Sequence, residues 1–211
     1  MLLYSLIMES VLKYFDEFTP KQMQQLTALK PLYEEWNEKI NVISRKDLDH
    51  FYEHHVLHSL AIATQFEFAS GTQVMDLGCG GGFPGIPLAI FFPGVQFHMV
   101  DSINKKLKVV AAVAESIGLQ NITTEHTRAE DIRNKKFDVV VSRAVAPLKD
   151  LWRWSKPLLK KSNNYNGLIC LKGGDLSKEI FESNCKPLVW EIEQLFEEPF
   201  FKEKFLLQVL Q

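Results

Sequence analysis

The sequence of 211 residues predicts an α/β protein built on a mostly parallel, doubly wound sheet. Three observations support this prediction: strand-like apolar runs alternate with helical stretches from residue 73 onward, a glycine-rich turn follows the first run, and two strand-like runs joined by a short turn come last. Alternating strands and helices give parallel strands with right-handed crossovers. The late pair predicts an antiparallel hairpin at the sheet edge. We therefore expect an N-terminal helical cap over residues 1–70 and a sheet domain over residues 71–211.

Helical patterns occupy the first 70 residues. Apolar residues at helical spacing predict an amphipathic helix packed on the domain rather than a membrane anchor. These residues are Leu3, Ile7, Val11 and Tyr14. Pro20 begins a second helix, which Pro31 is expected to bend or divide because proline cannot donate a helical hydrogen bond. A third helical stretch is expected over about 48–68, and no run approaches the roughly 18 uncharged apolar residues of a membrane span.

The alternating part of the chain defines the expected sheet. Its five parallel strands are expected at 73–77, 96–100, 122–125, 137–141 and 167–171. Helices are expected between them at about 84–92, 103–117 and 147–161. Gly118 is placed to end the second of these helices, since glycine readily takes the left-handed conformation of a helix C-terminus. The closing hairpin is expected to pair 188–196 with 204–209.

The most informative segment is the glycine-rich turn QVMDLGCGGGFPGIP at residues 73–87. Its glycines permit positive φ angles and let a ligand approach the main chain closely. Prolines then open an apolar stretch, as is common in the first turn of a helix. A strand, a glycine turn and a helix N-terminus together predict a cofactor cradle.

Two cofactor classes fit such a cradle. The dinucleotide fingerprint G-x-G-x-x-G is met only loosely, because Phe83 stands where the third glycine belongs. Asp101, at the end of the second strand, could bind the ribose hydroxyls of either cofactor. Asp76, before Leu77 and Gly78, and the late hairpin are both typical of S-adenosylmethionine enzymes. The absence of a tyrosine–lysine or histidine–aspartate pair for hydride transfer also favours S-adenosylmethionine over a nicotinamide.

Several motifs resemble one family in the order in which they occur. DLGCGGGFPGIPLA resembles the cofactor loop of the RsmG (GidB) family, bacterial methyltransferases of small-subunit ribosomal RNA. The other matching segments are YEEWNEKINVISRKD with EHHVLHSL, VDSINKK, RAED at 128–131, SRAVAPL at 142–148, and GLICLKGG. The resemblance covers roughly residues 33–174. His58 departs from it, since many relatives have an acidic residue there, and a structural role is expected for this position.

The resemblance implies a class I (Rossmann-like) methyltransferase that transfers a methyl group to N7 of a guanine, guanine 527, in 16S rRNA. Guanine N7 carries a free lone pair and no proton, so no general base and no catalytic residue are expected. Catalysis would rest on positioning, which can contribute about 7–11 kcal/mol. Arg143 and Lys172 are the candidate substrate positioners.

The cofactor contacts that the resemblance implies come from the ends of successive strands. They are Gly78, Phe83, Asp101, Ala129, Glu130 and Arg143. Gly78 would let the main chain close on the cofactor, and Phe83 would form an apolar wall. Ala129 and Glu130 would face the adenine edge. Arg143 could hold the methionine carboxylate or an RNA phosphate. The alternatives are a structural ion pair for Arg143 and a solvated loop acid for Glu130.

Basic residues near the same edge could contact the RNA backbone, although some are expected to be merely solvated. They are Arg45, Lys46, Lys105, Lys106, Arg128, Lys149 and Lys172. Trp152 and Trp154 are expected to be one core and one rim residue rather than a base-stacking pair. No metal site is expected from the histidines at 54, 55 and 58, because no third-ligand pattern accompanies them.

Composition narrows the class further. A net charge of −2 gives no global basic field, so any RNA surface must be local. The three cysteines form neither a disulfide framework nor a C-x-x-C site, which suits a cytoplasmic protein. A monomer is expected. Two rival functions remain open: a methyltransferase of the same fold acting on a small molecule or protein, and a non-catalytic ribosome-assembly factor that binds S-adenosylmethionine.

Overall fold

The computed structural model describes residues 8–143, 145–161 and 167–211. Within these ranges, no helix has the length and apolar character needed to cross a membrane. Leu3 and Ile7 of the expected N-terminal helix lie outside the described residues. The described part of that segment forms a short helix in which Val11 is buried.

A seven-stranded sheet forms the centre of the protein, in the order β3-β2-β1-β4-β5-β7-β6. The strands are β1 Gln73–Leu77, β2 Gln96–Asp101, β3 Ile122–His126, β4 Val139–Arg143, β5 Gly167–Gly173, β6 Leu188–Glu191 and β7 Lys204–Leu210. β1 to β5 are parallel, and β7 pairs antiparallel with both β5 and β6. The predicted fold is thereby confirmed: a mostly parallel, Rossmann-like sheet that ends in an antiparallel hairpin.

Helices cover both faces of this sheet. They are α1 Glu9–Leu12, α2 Pro20–Lys39, α3 Arg45–Asp49, α4 His58–Leu60, α5 Gly85–Phe91, α6 Asn104–Ser116, α7 Leu148–Ser155 and α8 Ser177–Ser183. The N-terminal helices, α5 and α6 enclose one apolar core, and α7 and α8 enclose the other. The first core joins residues of the N-terminal helices to residues of the sheet without a break.

The prediction that Pro31 divides α2 is wrong. The helix runs unbroken through Pro31, which is exposed. Proline has no N–H for the carbonyl of Thr27, one turn earlier. The hydroxyl of Tyr52 donates to that carbonyl at 3.0 Å instead. A side chain from another helical segment thus replaces the missing hydrogen bond.

The stretch expected at 48–68 is divided between α3 and a composite helix. This composite helix consists of a π-helical segment, Tyr52–Leu57, then α4 and a 3₁₀ turn, Ala61–Thr64. It begins one turn after α3 and ends four residues before the expected boundary. π-Helical segments are rare and often occur at functional sites, and here the segment carries His54 and His55.

Several elements differ from prediction, among them α7, which ends at Ser155 rather than at residue 161. β4 begins at Val139 rather than at residue 137, because Phe137 leaves the sheet to form an isolated parallel bridge with Leu159. The strand also ends two residues later than expected, so Arg143 is its last residue. β6 ends at Glu191, where a 3₁₀ turn begins, instead of reaching residue 196. α8 was not predicted, and it places Glu179 against β5.

Candidate cofactor site

The glycine turn connects the end of β1 to α5 in a conformation that needs glycine. Gly78 has φ +68°, and a Cβ built there would lie 2.7 Å from Cγ1 of Val145. Gly82 has φ +101°, and a Cβ there would lie 2.6 Å from Cδ1 of Ile86. A side chain at either position would strain the backbone and would require Val145 or Ile86 to move. The turn is therefore a main-chain cradle at the carboxyl end of the sheet.

Tyr33 of α2 supports this cradle from the side of the N-terminal helices. Its buried hydroxyl donates to the carbonyl of Gly81 at 2.5 Å, and its ring packs 5.0 Å from that of Phe83. Burial raises the pKa of Tyr33 well above its usual value, so the hydroxyl remains a donor. Nothing in the sequence around Tyr33 indicated a hydrogen bond to the glycine turn.

Asp76 lies beneath the cradle and is fully buried. Its Oδ2 accepts from the backbone N–H of Gly85 at 2.8 Å, at the start of α5. Burial raises the pKa of this carboxyl to about 7, and the Gly85 hydrogen bond opposes that shift. Asp76 thus fixes the junction between the glycine turn and α5 through Oδ2, while its buried Oδ1 has no partner.

Asp101 ends β2 where the sequence predicted, and it is only 7% exposed. Its Oδ2 accepts from the N–H of Gly80 at 2.9 Å, and its Oδ1 accepts from the N–H of Ile103 at 2.8 Å. Each carboxylate oxygen can accept a further hydrogen bond. The carboxylate therefore holds the glycine turn and keeps acceptor capacity for hydroxyl groups.

Two clefts of different polarity meet at Gly78, Asp101 and Val145. The polar cleft has a volume of about 390 Å³ and is lined by the glycine turn, Lys106 and Arg143. The smaller one, about 170 Å³, exposes mainly apolar surface. Its apolar side chains are Leu77, Val100, Ala129, Val145 and Trp154, and its polar ones are Asp101, Ser102, Thr127, Arg128 and Glu130. One end of the site thus suits a charged group, and the other suits a flat heterocycle.

Arg143 lines the polar cleft and is oriented by the composite helix. Its Nη1 donates to the carbonyl of His54 at 3.1 Å, and its Nη2 donates to Nδ1 of His55 at 2.9 Å. Burial lowers the Arg143 pKa to about 10, and Asp76 opposes that shift. Burial, followed by the nearby guanidinium, lowers the pKa of His55 to about 3, so this imidazole is neutral and accepts. The partners found here are neutral groups rather than the carboxylate of a structural ion pair.

Phe83 forms the floor of the polar cleft and is 4% exposed. The guanidinium of Arg143 lies 5.1 Å above its ring, within the range of a cation–π contact. The ring of His55 packs against it at 4.9 Å. Phe83 therefore gives the polar cleft an apolar surface and also supports the cation that faces the cleft.

The opposite side of the site is a 3₁₀ turn after β3, Ala129–Asp131. Ala129 is nearly buried and lines the apolar cleft, whereas Glu130 is exposed at its rim. Trp154 of α7 lines the same cleft, and its buried Nε1–H has no partner. The sequence predicted a core or rim role for Trp154, since helical spacing does not show which cleft a side chain reaches.

Lys172, the second candidate substrate positioner, lies at the carboxyl end of β5 and is buried. The residue is 8% exposed, and its Nζ lies 2.5 Å from Oε1 of Glu179. The same ammonium donates to the carbonyl of Ala146 at 2.5 Å. The unpredicted helix α8 supplies the carboxylate, so Lys172 is enclosed by protein partners.

Most of the other basic residues are open to solvent. Those exposed are Arg45, Lys46, Lys105, Arg128 and Lys149, and Lys106 is half-buried beside the polar cleft. Two of the histidines pack on phenylalanines: the ring of His54 stacks on Phe200, and His58 is buried against Phe200 and Phe201. Across the described ranges, no group of three histidine, cysteine, aspartate or glutamate side chains could hold a metal ion.

Comparison with known proteins gives a family match and a fold match. A family model described as GidB, rRNA small subunit methyltransferase G, matches residues 22–205. A ribosomal RNA small subunit methyltransferase G from Phocaeicola vulgatus is 53% identical over 205 residues, covering 96% of this chain and 98% of that protein. The protein of the same name from Bacteroides thetaiotaomicron is 54% identical over 200 residues, covering 93% and 97%.

Solved structures share the fold at low sequence identity. An S-adenosylmethionine-dependent methyltransferase from Aquifex aeolicus has a TM-score of 0.57 at 12% identity, covering 79% of this chain and 98% of that one. Aeropyrum pernix fibrillarin with natively bound S-adenosylmethionine has a TM-score of 0.53 at 12% identity, covering 73% and 74%. The architecture is therefore that of class I methyltransferases.

Proposed function

The chain belongs to the rRNA small subunit methyltransferase G family, and on this basis we propose that it methylates N7 of a guanine, guanine 527 by resemblance to the family, in 16S rRNA. The family and the fold establish the broader activity, methylation of small-subunit rRNA with S-adenosylmethionine as cofactor. The target atom, the position in the RNA and the site residues belong to the proposal.

The observation that supports N7 is the set of groups lining the two clefts. Their carboxylates are Asp101 and Glu130. Asp101 already accepts two main-chain hydrogen bonds, and Glu130 lies at the rim of the apolar cleft. No histidine lines either cleft among the residues that the structure describes. A nucleophile with a free lone pair, such as guanine N7, needs no general base, and positioning alone can promote its reaction.

The clefts also fit the cofactor. Bound S-adenosylmethionine supplies an electrophilic methyl group on a positively charged sulfur. Gly78 lines both clefts with its main chain, and its positive φ is a conformation that glycine adopts without strain. The unpartnered Nε1–H of Trp154 offers a donor beside the apolar cleft. A heterocycle that carries acceptor nitrogens would satisfy it.

Each site residue has a place in this proposal. Ala129 and Glu130 border the end that would take the adenine, and Asp101 would accept from the ribose hydroxyls. Arg143 and the floor formed by Phe83 would hold the methionine carboxylate in the polar cleft. The exposed arginines and lysines around the clefts would bind RNA phosphates, which contribute affinity but little sequence information.

Four broader expectations complete the proposal. Residues 1–70 act as a cap that holds the glycine turn through Tyr33, and residues 71–211 bind the cofactor. The protein acts in the cytoplasm as a monomer, without a metal ion. These expectations can be checked by fractionation, by mass in solution and by metal analysis.

The proposal is tested with small ribosomal subunits from a strain that lacks the enzyme and with labelled S-adenosylmethionine. Label should enter 16S rRNA, and the modified position should be cleaved by borohydride reduction followed by aniline, which detects N7-methylguanine. Label in a small molecule or a protein, with none in the RNA, would support a same-fold enzyme with another substrate and would overturn the proposal.

A non-catalytic assembly factor is the second alternative. Arg143→Ala separates it from an enzyme, because transfer and subunit binding are measured independently on the same variant. We expect transfer to fall by 10-fold or more while binding to the subunit changes less. A protein that binds the subunit normally and transfers no label even as wild type would be an assembly factor.

A further inference from the structure

Lys172 of β5 and Glu179 of α8 form an ion pair beside residues 145–148, a segment in which Val145 lines both clefts. Oε1 of Glu179 accepts from the ammonium of Lys172 at 2.5 Å and from the backbone N–H of Leu148 at 2.6 Å. Lys172 also donates to the carbonyl of Ala146. The pair therefore binds the main chain of residues 146 and 148 from β5 and α8, elements that lie outside the clefts.

The segment held in this way carries Val145, which lines both clefts and is 44% exposed. Its methyl groups press on the glycine turn so closely that a Cβ at Gly78 would lie 2.7 Å from Cγ1. Two residues earlier, Arg143 is anchored to the composite helix through His54 and His55. The wall that Val145 forms along both clefts is thus held through Ala146 and Leu148, and Arg143 is held separately by the composite helix.

The arrangement matters because this segment leads directly into α7. Leu148 is the first residue of α7, and no side chain caps that helix from the preceding position, Pro147. The carboxylate of Glu179 acts as the missing cap, because it accepts a hydrogen bond from the N–H of Leu148. A negative charge is favourable at this end of a helix. Loss of either charged group would leave the other, which is mostly shielded from solvent, without its ion-pair partner.

We infer that Lys172 and Glu179 are positioning residues, which hold residues 145–148 so that Val145 sets the distance between the cofactor and the base that is methylated. This inference rests on the proposed function and deepens it. Neither residue touches the reacting atoms, and both act through the main chain of the segment. A displacement of about 1 Å at such a wall can reduce the rate of a positioned reaction about 100-fold.

Two variants test the pair. Lys172→Met keeps the length of the side chain and removes its charge, and Glu179→Gln keeps an oxygen for Leu148 while weakening the contact with Lys172. We expect both to lower kcat by about 10-fold or more, with the KM for RNA and the Kd for S-adenosylmethionine changed less than 3-fold. Lys172→Arg should restore part of kcat. The double variant should be no worse than the poorer single variant, since both break one unit.

The matched control is Glu182→Gln, which breaks an exposed pair with Lys178 on the same helix, 3.8 Å apart. It should leave kcat within 2-fold. A urea unfolding curve is recorded for each variant. It shows that the variant is folded under the conditions of the kinetic assay.

The salt dependence of RNA binding separates this inference from direct contact with a phosphate. If Lys172 bound a phosphate, Lys172→Met would raise the KM for RNA and reduce the slope of log affinity against log salt by about 1, while Glu179→Gln would not weaken binding. That pattern, or an unchanged kcat in both variants, would overturn the inference. Absence of transfer by the wild-type protein would instead contradict the proposed function.

Discussion

The two sides of the cofactor site are built in different ways. The enclosed side, formed by the glycine turn and Arg143, is held by buried Asp76 directly before the turn and by groups from distant parts of the chain, Tyr33 and the carbonyl of His54. The open side is the single short turn Ala129–Asp131, in which Glu130 faces solvent. One side thus depends on tertiary packing, and the other depends mainly on local backbone geometry.

This difference predicts where function and stability are coupled. On the enclosed side a change leaves a buried donor or acceptor without its partner, which typically costs about 1–3 kcal/mol. Such a change also moves the cradle, so cofactor affinity and the free energy of unfolding should change together. On the open side water can replace a lost contact, so affinity alone should change, and only slightly.

Gly78→Ala is expected to have the largest effect. The new Cβ would collide with Val145, and the positive φ adds strain of about 1–2 kcal/mol. We expect the Kd for S-adenosylmethionine, measured by calorimetry, to rise at least 100-fold. Gly71→Ala is the control, because φ there is +87° with no atom near the added carbon. It should lower stability by a similar strain and leave the Kd unchanged; equal affinities in both variants would argue against the cradle.

Asp76→Asn should change how stability depends on pH. The folded-state pKa of about 7 lies above the ordinary value of 3.8, so the folded protein binds this proton more tightly than the unfolded chain does. The wild type therefore loses stability at this group as pH rises from about 4 to 7, by roughly 1.4 kcal/mol per pH unit. Asparagine can still accept from Gly85 and has no such dependence.

Urea unfolding at several pH values measures that difference. The stability of Asp76→Asn relative to wild type should increase steadily from pH 4.5 to 7. The lowered pKa of His55 has the opposite effect, a loss of stability as pH falls through 6.5 toward 3, but it is common to both proteins and cancels. Asp49→Asn, at an exposed position, is the control. If the difference in unfolding free energy between the two proteins did not change from pH 4.5 to 7, Asp76 would be ionised in the folded protein over that whole range.

Glu130→Gln should have the smallest effect. The side chain is exposed, so we expect the Kd for S-adenosylmethionine to rise no more than 3-fold and the free energy of unfolding to stay within about 0.5 kcal/mol. Glu193→Gln, exposed on a turn outside the clefts, gives the background. A loss of affinity above 10-fold would remove the distinction between the two sides, because the open side would then hold the cofactor as firmly as the enclosed side.

The sequence predicted the sheet well because its strands carry a strong local signal. Apolar runs and glycine breaks mark β1, β2 and β5 within two residues of their observed ends. The error at β4 arose because Phe137 is apolar like a strand residue but bonds outside the sheet. Local pattern does not reveal which partner an apolar residue finds.

The residues that support the site could not be predicted in this way. Tyr33 and Gly81, whose carbonyl accepts its hydrogen bond, are 48 residues apart. Lys172 contacts Ala146 only because the carboxyl end of β5 lies beside the segment before α7. Pro31 was expected to break a helix, but the hydroxyl of Tyr52, from a later segment, completes the hydrogen bond. Such contacts depend on tertiary structure, whereas the glycine turn and Asp101 are visible in one short stretch each.

The central claim is that the two clefts meet to position a guanine N7 against the cofactor. The most direct measurement is mapping of N7-methylguanine in 16S rRNA after incubating subunits from a strain lacking the enzyme with the wild-type protein or with Gly78→Ala. The account predicts one new N7-methylguanine, at guanine 527, with the wild type and little or none with the variant. Methylation at another atom of the RNA, or equal methylation by both proteins, would contradict it.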